Sequence, residues 1–175
     1  MRRLFPVCLF LLISIEIHAD TTNTVSVSPD GKYSICNVEI ADKVPLFVIK
    51  SKDGKVLSVK TSPEGALAEG MVSDVQWSRD GKLALFCVGA GRNRYACVFS
   101  TSDKKTNYIY PEDEYNFCTD PVRWINPRAI IVEVSGPHNN AGDPFIRYRK
   151  TYRVTTQPLE IECIYTGPKD ITPPE

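Results

Sequence analysis

The stretch Val25-Ser26-Val27-Ser28-Pro29-Asp30-Gly31-Lys32-Tyr33 decides the fold, because it returns fifty residues later as Val75-Gln76-Trp77-Ser78-Arg79-Asp80-Gly81-Lys82-Leu83. At that offset residues 25–60 align with 75–110 without a gap and share nine identities. In both copies an Asp-Gly turn joins two extended runs. The Asp side chain can bond the backbone ahead of it, and Gly takes the positive φ of a tight reversal. The chain is therefore built from β-repeat units.

Each unit is predicted to hold four short strands, because short extended runs alternate with turn residues. The strands are predicted over 23–27, 32–40, 45–49 and 55–59 in the first unit, and over 73–77, 83–88, 94–100 and 106–110 in the second. Val122-Arg123-Trp124 matches Val75-Gln76-Trp77 and begins a third unit, with strands over 129–134, 145–154 and 159–165. The helix signal at 62–72, which begins Ser62-Pro63, predicts about one turn of connector.

The predicted fold class is all-β, with three consecutive four-stranded antiparallel blade-like repeats, partial or three-bladed β-propeller-like; a β-sandwich is the alternative. The repeats cover about 20–61, 72–111 and 120–166 of a single domain at 20–167. Propellers typically have 4–8 blades. Three twisted sheets therefore either form a compact body or need a second chain to complete a six-bladed ring.

At its Ser-Pro-Asp-Gly-Lys turn the chain resembles the WD40-like repeats of the TolB type, which form exported or periplasmic propellers in bacteria. The resemblance covers residues 24–60 and 74–110 well and 121–165 loosely. It implies binding surfaces formed by the loops between strands, and it supplies no catalytic residues.

The N-terminus has the layout of a cleavable export signal. Met1-Arg2-Arg3 precedes an apolar run from Leu4 to Ile15, and small residues precede Asp20, so we expect residues 1–19 to be a signal peptide. The apolar run is shorter than the roughly 20 residues that span a bilayer. We therefore expect a secreted or periplasmic protein without a membrane span. The Pro-rich tail at 168–175 is expected to be flexible.

Overall charge gives no signal for a polyanionic partner. Removal of residues 1–19 takes away Arg2, Arg3 and Glu16, so 21 basic and 21 acidic residues become 19 and 20. A net charge near −1 indicates neither nucleic-acid binding nor attraction to an anionic membrane.

Five cysteines remain in the mature chain, in a compartment where disulfides persist. A hairpin centred on Arg92 would place Cys87 opposite Cys97, and Cys118 with Cys163 is a second candidate pair. The alternative is that these residues stay reduced as small buried hydrophobes. The odd count leaves at least one thiol free or bonded to another chain.

Two segments are candidate contact surfaces. The first is the long loop at 136–144, with His138, Asn139, Asn140 and Asp143. Neighbours in one loop rarely reach triad geometry, and no Gly-x-Ser-x-Gly surrounds Ser135, so contact is favoured over catalysis. The second is the acidic connector, which consists of Glu112, Asp113, Glu114 and Tyr115. Its spacing does not fit calcium, and no paired Cys or His fits zinc, so no metal or cofactor is predicted.

Aromatic residues divide into two groups. Trp77 and Trp124 occupy equivalent strand positions and are predicted to face the core. A contact cluster of the kind that protein interfaces enrich is predicted from Tyr108, Tyr110, Tyr115 and Phe117.

These observations predict an exported, non-enzymatic binding module whose partner is a protein or an envelope component. The first alternative is a small secreted hydrolase or lyase that uses acidic residues of the 112–120 segment. The second is a self-assembling half-propeller, which would be a homodimer.

Overall fold

The chain folds into antiparallel β-sheets. The structure is a computed structural model that describes residues 21–39, 46–57, 70–90, 93–110, 118–136 and 143–173. Its strands are β1 (Thr21–Val27), β2 (Tyr33–Glu39), β3 (Leu46–Ser51), β4 (Val56–Leu57), β5 (Met71–Trp77), β6 (Leu83–Ala90), β7 (Asn93–Ser100), β8 (Lys105–Ile109), β9 (Cys118–Asn126), β10 (Ala129–Gly136), β11 (Phe145–Thr156), β12 (Leu159–Thr166) and β13 (Asp170–Thr172).

Three sheets follow one another along the chain, and consecutive strands pair within each of them. The first sheet has the order β1-β2-β3-β4, the second β5-β6-β7-β8, and the third β9-β10-β11-β12 with β13 added on β11. The described residues contain no helix, and the predicted helix signal falls mostly at 62–69, outside them. The prediction of an all-β chain with three blade-like, four-stranded antiparallel units is confirmed.

The repeated turn has the same hydrogen bonds in both of its copies. The Ser28 hydroxyl donates to Asp30 Oδ1 at 2.7 Å, and that carboxylate accepts the Lys32 N–H at 3.1 Å. In the second copy Ser78 donates to Asp80 at 2.7 Å and the Lys82 N–H reaches it at 3.2 Å. The glycines that follow have φ values of 68° and 67°. The shared sequence therefore encodes turn geometry, as predicted.

The second sheet is the middle layer of the stack. On β6, Phe86 and Val88 pack in a cluster with the first sheet, whereas Leu83 and Leu85 pack in a cluster with the third. Burial on both faces explains the nearly continuous apolar run of this strand. Within the described ranges, no buried cluster joins the first sheet directly to the third.

A tryptophan links the second sheet to the first, and another tryptophan links the third sheet to the second. The Trp77 indole N–H donates to the Ser26 hydroxyl at 3.1 Å, and the Trp124 indole N–H donates to the Gln76 carbonyl at 2.9 Å. Both side chains are half-buried against the shared cores. Val27 holds the equivalent position in the first sheet and is 52% exposed. This position is buried only where a preceding sheet covers it.

The outward face of the third sheet is charged. Along β11, the outward residues Arg147, Arg149 and Arg153 alternate with inward residues of the core. Glu133 forms ion pairs with Arg147 at 3.3 Å and with Arg149 at 3.7 Å, and Arg153 forms an ion pair with Glu162 at 2.8 Å. Exposed pairs add little stability. A face of this kind is stable in water and needs no further sheet to cover it.

The predicted disulfides do not form. All five cysteines of residues 21–173 are free thiols. In the ladder between β6 and β7, Ala90 lies opposite Asn93, so Cys87 lies opposite Ala96 and Cys97 lies opposite Phe86. A shift of one residue in register places the two thiols on opposite faces of the sheet. Cys118 lies on β9 opposite Ser135, and Cys163 lies on β12 opposite Tyr152.

Part of the Pro-rich tail forms a strand. Residues 170–172 form β13, which pairs with residues 145–147 of β11. The long strand β11 is paired by β12 only over 150–156, which leaves the start of its edge open. The unpaired backbone N–H and C=O groups of a strand edge favour pairing with another strand, and the tail supplies that strand.

Candidate binding surface at the loop end

The sheets have two distinct ends. The tight turns at 28–32, 52–55, 78–82, 101–104, 127–128 and 157–158 lie together at one end, which we call the turn end. The other end, which we call the loop end, is where β2, β6 and β10 finish and where β1, β5 and β9 begin. All the long connecting segments attach there.

The two predicted contact segments attach side by side at the loop end. The acidic connector leads into β9 at Cys118, and the 136–144 loop leaves β10 at Gly136, one residue after Ser135. Ser135 and Cys118 are direct partners in the antiparallel ladder. Paired residues of such a ladder lie about 5 Å apart at Cα. The topology therefore brings together two segments that are about twenty residues apart in the sequence.

The individual residues of these segments are only partly described. Asp143 is exposed and lies two residues before β11. The other predicted binding residues lie outside the described residues, namely His138, Asn139, Asn140, Glu112, Asp113, Glu114 and Tyr115. Their roles remain predictions.

An arginine joins the second and third sheets beside this surface. Arg94 Nε lies 3.2 Å from Asp120 Oδ1, and an Arg94 terminal nitrogen lies 3.4 Å from Asp74 Oδ2. Asp74 has a φ of 55°, and it lies where the register of β5 on β6 shifts. A bulge at this point redirects the carboxylate toward Arg94. The sequence did not indicate this contact, because its members come from three separate strands.

The Cys87 thiol adjoins the same group but is not activated. Its Sγ lies 3.7 Å from Asp120 Oδ1, and the side chain is buried. Burial raises the pKa of Cys87, the nearby Asp120 carboxylate raises it further, and Arg94 only partly opposes this shift. The thiolate is the nucleophilic form of cysteine. A protonated thiol between two sheets is a packing group.

A buried amide links the first and second sheets at the corresponding place. Asn37 Nδ2 donates to the Val72 carbonyl at 3.2 Å, and the Val72 N–H donates to Asn37 Oδ1 at 2.8 Å. Asn37 and Cys87 are equivalent at the repeat offset of fifty. Each of them contacts the beginning of the next sheet, so a repeated position serves the same purpose with different chemistry.

A cluster of three tyrosines lies at the loop end of the second sheet. Tyr108 and Tyr110 are stacked with ring centroids 5.8 Å apart, and Tyr95 lies 5.2 Å from Tyr110. All three side chains are half-buried. Burial raises the pKa of Tyr108, so its phenol stays protonated. Two of these residues belong to the predicted contact cluster, Tyr95 was missed because it lies on another strand, and Tyr115 and Phe117 lie outside the described residues.

No group of three or more His, Cys, Asp or Glu side chains in the described part of the chain could hold a metal ion. Among the same residues, no helix is long and apolar enough to cross a bilayer.

The chain is similar in structure to a known protein, although the sequence comparisons found no match. No protein-family model matches the chain, and no curated protein matches it. A solved structure provisionally described as TolB, from Agrobacterium tumefaciens, is similar over 85% of this chain with 13% identity and a TM-score of 0.44. The chain spans 50% of that protein's length. The fold described above rests on strand pairing within this chain.

Proposed function

We propose that this chain is an exported, non-enzymatic binding module that holds a partner protein at its loop end. The observation that carries the proposal is the ladder pair Ser135–Cys118, which attaches both predicted contact segments to adjacent strand ends. Long loops on a rigid sheet scaffold are a common place for binding residues. The tyrosine cluster supplies half-buried aromatic surface beside them, which protein interfaces enrich.

The loop end favours binding over the hydrolase or lyase alternative. Asp120 is the one acidic residue of the 112–120 segment within the described residues, and its carboxylate is ion-paired with Arg94. The ion pair with Arg94 occupies this carboxylate, so the carboxylate is not free to contact a substrate. The buried Cys87 thiol beside it is also inactive as a nucleophile.

The outward face of the third sheet weighs against the self-assembly alternative. Closing a ring from two copies would bury Arg147, Arg149 and Arg153 with their acidic partners in a sheet-to-sheet interface. Removing such charges from water costs more than their pairing returns in most interfaces. The module is therefore proposed to act as a monomer.

Site-directed photo-crosslinking tests where the partner is held. A photoreactive amino acid is placed at Asp143, which is exposed at the loop end, or at Arg79, which is exposed at the turn end. The proposal expects one cross-linked protein from position 143 and none from the matched control. The same cross-link from position 79 alone would contradict it.

Affinity for the identified partner then tests the residues. Joint replacement of Glu112, Asp113 and Glu114 by Gln, Asn and Gln should raise the Kd for the purified partner at least tenfold. A tenfold change corresponds to a loss of about 1.4 kcal/mol of binding free energy. His138→Ala tests the 136–144 loop in the same titration. Catalytic turnover that disappears in His138→Ala would overturn the non-enzymatic assignment.

A further inference from the structure

The turn end carries an excess of positive charge that the whole-chain composition hides. Eight basic side chains lie in or directly beside its turns, and all eight are exposed: Lys32, Lys52, Lys55, Arg79, Lys82, Lys104, Lys105 and Arg128. Four acidic residues accompany them: Asp30, Asp53, Asp80 and Asp103. The turn end therefore has an excess of four positive charges.

The segments that attach at the loop end have the opposite balance. The stretches 40–45, 58–70, 91–92, 110–117 and 137–144 contain seven acidic and three basic residues. The acidic ones are Asp42, Glu64, Glu69, Glu112, Asp113, Glu114 and Asp143, and the basic ones are Lys43, Lys60 and Arg92. The near-neutral composition of the whole chain therefore conceals the excess of basic residues at the turn end. A local field of this kind attracts partners even when net charge is near zero.

The acidic side chains of the turn end are held by hydrogen bonds to neighbouring groups of the protein. The Asp30 carboxylate accepts the Ser28 hydroxyl and the Lys32 N–H, and Asp80 accepts the equivalent pair. Asp103 Oδ2 accepts the Leu159 N–H at 3.0 Å. Lysine and arginine instead carry their charge at the tip of a long flexible stem. The outermost charged layer of this end is therefore basic.

Exposed apolar side chains lie at the same end. Val27, Val56 and Ile125 are 52%, 49% and 51% exposed, and each lies on a strand beside a turn of this end. Basic residues with exposed apolar ones form the combination that binds the interface of anionic membranes.

We propose that the turn end docks onto an anionic lipid bilayer and leaves the loop end facing away from it. Turns from all three sheets finish at this end, so they present a broad face across the molecule. A broad face matches a lipid surface better than a single strand of nucleic acid, which binds along a groove with aromatic stacking. The turns themselves contain no aromatic residue.

The test is co-sedimentation of the mature protein with phosphatidylglycerol-containing vesicles, against pure phosphatidylcholine vesicles, at low and physiological salt. The proposal expects binding only to anionic vesicles, and binding that weakens as salt rises. The variant K52Q/K82Q/K105Q should lower the partition coefficient on the order of 100-fold, because each cation near such a surface contributes about fivefold.

A charge-matched control separates this end from overall charge. The variant R123Q/R147Q/R149Q removes three exposed cations from the outward face of the third sheet and should keep most of the binding. Equal losses in both triple variants, binding to neutral vesicles, or no binding at low salt would overturn the proposal. So would binding to soluble polyphosphate without binding to vesicles. Because the loop-end variants leave the turn end unchanged, failure here is distinguishable from failure of the proposed partner site.

Discussion

Replacing Asn37 by leucine should destabilise the fold strongly, because this side chain satisfies two backbone groups of the next sheet. Asn37 is 5% exposed, and it pairs with both the N–H and the carbonyl of Val72. Leucine is similar in size, so it leaves those groups buried without a partner and opens no large cavity. A buried unsatisfied group costs about 1–3 kcal/mol. The two together should lower the free energy of unfolding by about 3 kcal/mol.

Thermal and urea unfolding of residues 20–175 measure this loss in the free energy of unfolding. About 3 kcal/mol corresponds to a fall of about 6–12 °C in Tm for a domain of this size. The control is Asn107→Leu, because Asn107 is half-buried and donates one bond, to the Leu159 carbonyl at 3.0 Å. It should cost about 1 kcal/mol. If Asn37→Leu lowered the Tm no more than Asn107→Leu, the inter-sheet role of Asn37 would be refuted.

Three further predictions concern the sheet edges, acid stability and the thiols. Trp124→Ala should cost about 3–5 kcal/mol in urea unfolding, as large aromatic truncations in cores do, whereas Val27→Ser should cost under about 0.5 kcal/mol. Similar losses of stability from Trp124→Ala and Val27→Ser would show that the first sheet is covered at Val27, contrary to the structure. Burial raises the pKa of Asp80, but the Ser78 hydroxyl and the Lys82 N–H outweigh it, so the folded-state pKa is lowered. The resulting stability is present above the unfolded pKa of about 3.9 and is lost as pH falls through the lower folded value. Asp80→Asn should therefore reduce the loss of Tm between pH 5 and 2, and an unchanged pH profile would contradict this. With a thiol reagent on the native protein, half-exposed Cys163 should react first, and Cys97 should react only on unfolding, because burial raises its pKa and blocks access. A Cys97 that reacts as quickly as Cys163 would contradict the structure.

The sequence predicts the local structure well because the repeat carries its own turn chemistry. The Ser28 hydroxyl donates to Asp30 and accepts the Tyr33 N–H, so all the partners of this turn lie within five residues of Ser28. The strands on either side of the turn are therefore specified locally. Their recurrence at Ser78 and Asp80 fixes the second unit in the same way. The match at Trp124 was sufficient to locate the start of the third unit, although the turn that follows Trp124 differs in sequence from the first two turns.

Contacts between sheets could not be predicted, because they depend on register and on distant residues. The register between β6 and β7 differs by one residue from that of a hairpin centred on Arg92. This difference places Cys87 and Cys97 on opposite faces of the sheet, which removes the predicted disulfide. The bond between Asn37 and Val72 joins residues 35 apart in sequence, and a single chain gives no signal for it. The placement of both contact segments at the loop end follows from strand direction, which the sequence did predict.

The tryptophan link gives the stack of sheets a direction. Each indole points back to the sheet before it, at Trp77 and Trp124, and the first sheet keeps a valine at that position. The far side of the stack is closed by charge pairs at Glu133 and Glu162. A protein engineer who wished to lengthen this molecule would therefore add a unit before the first sheet. The change Val27→Trp would let the first sheet bond to the added unit. A unit added downstream would first require those charges to be removed.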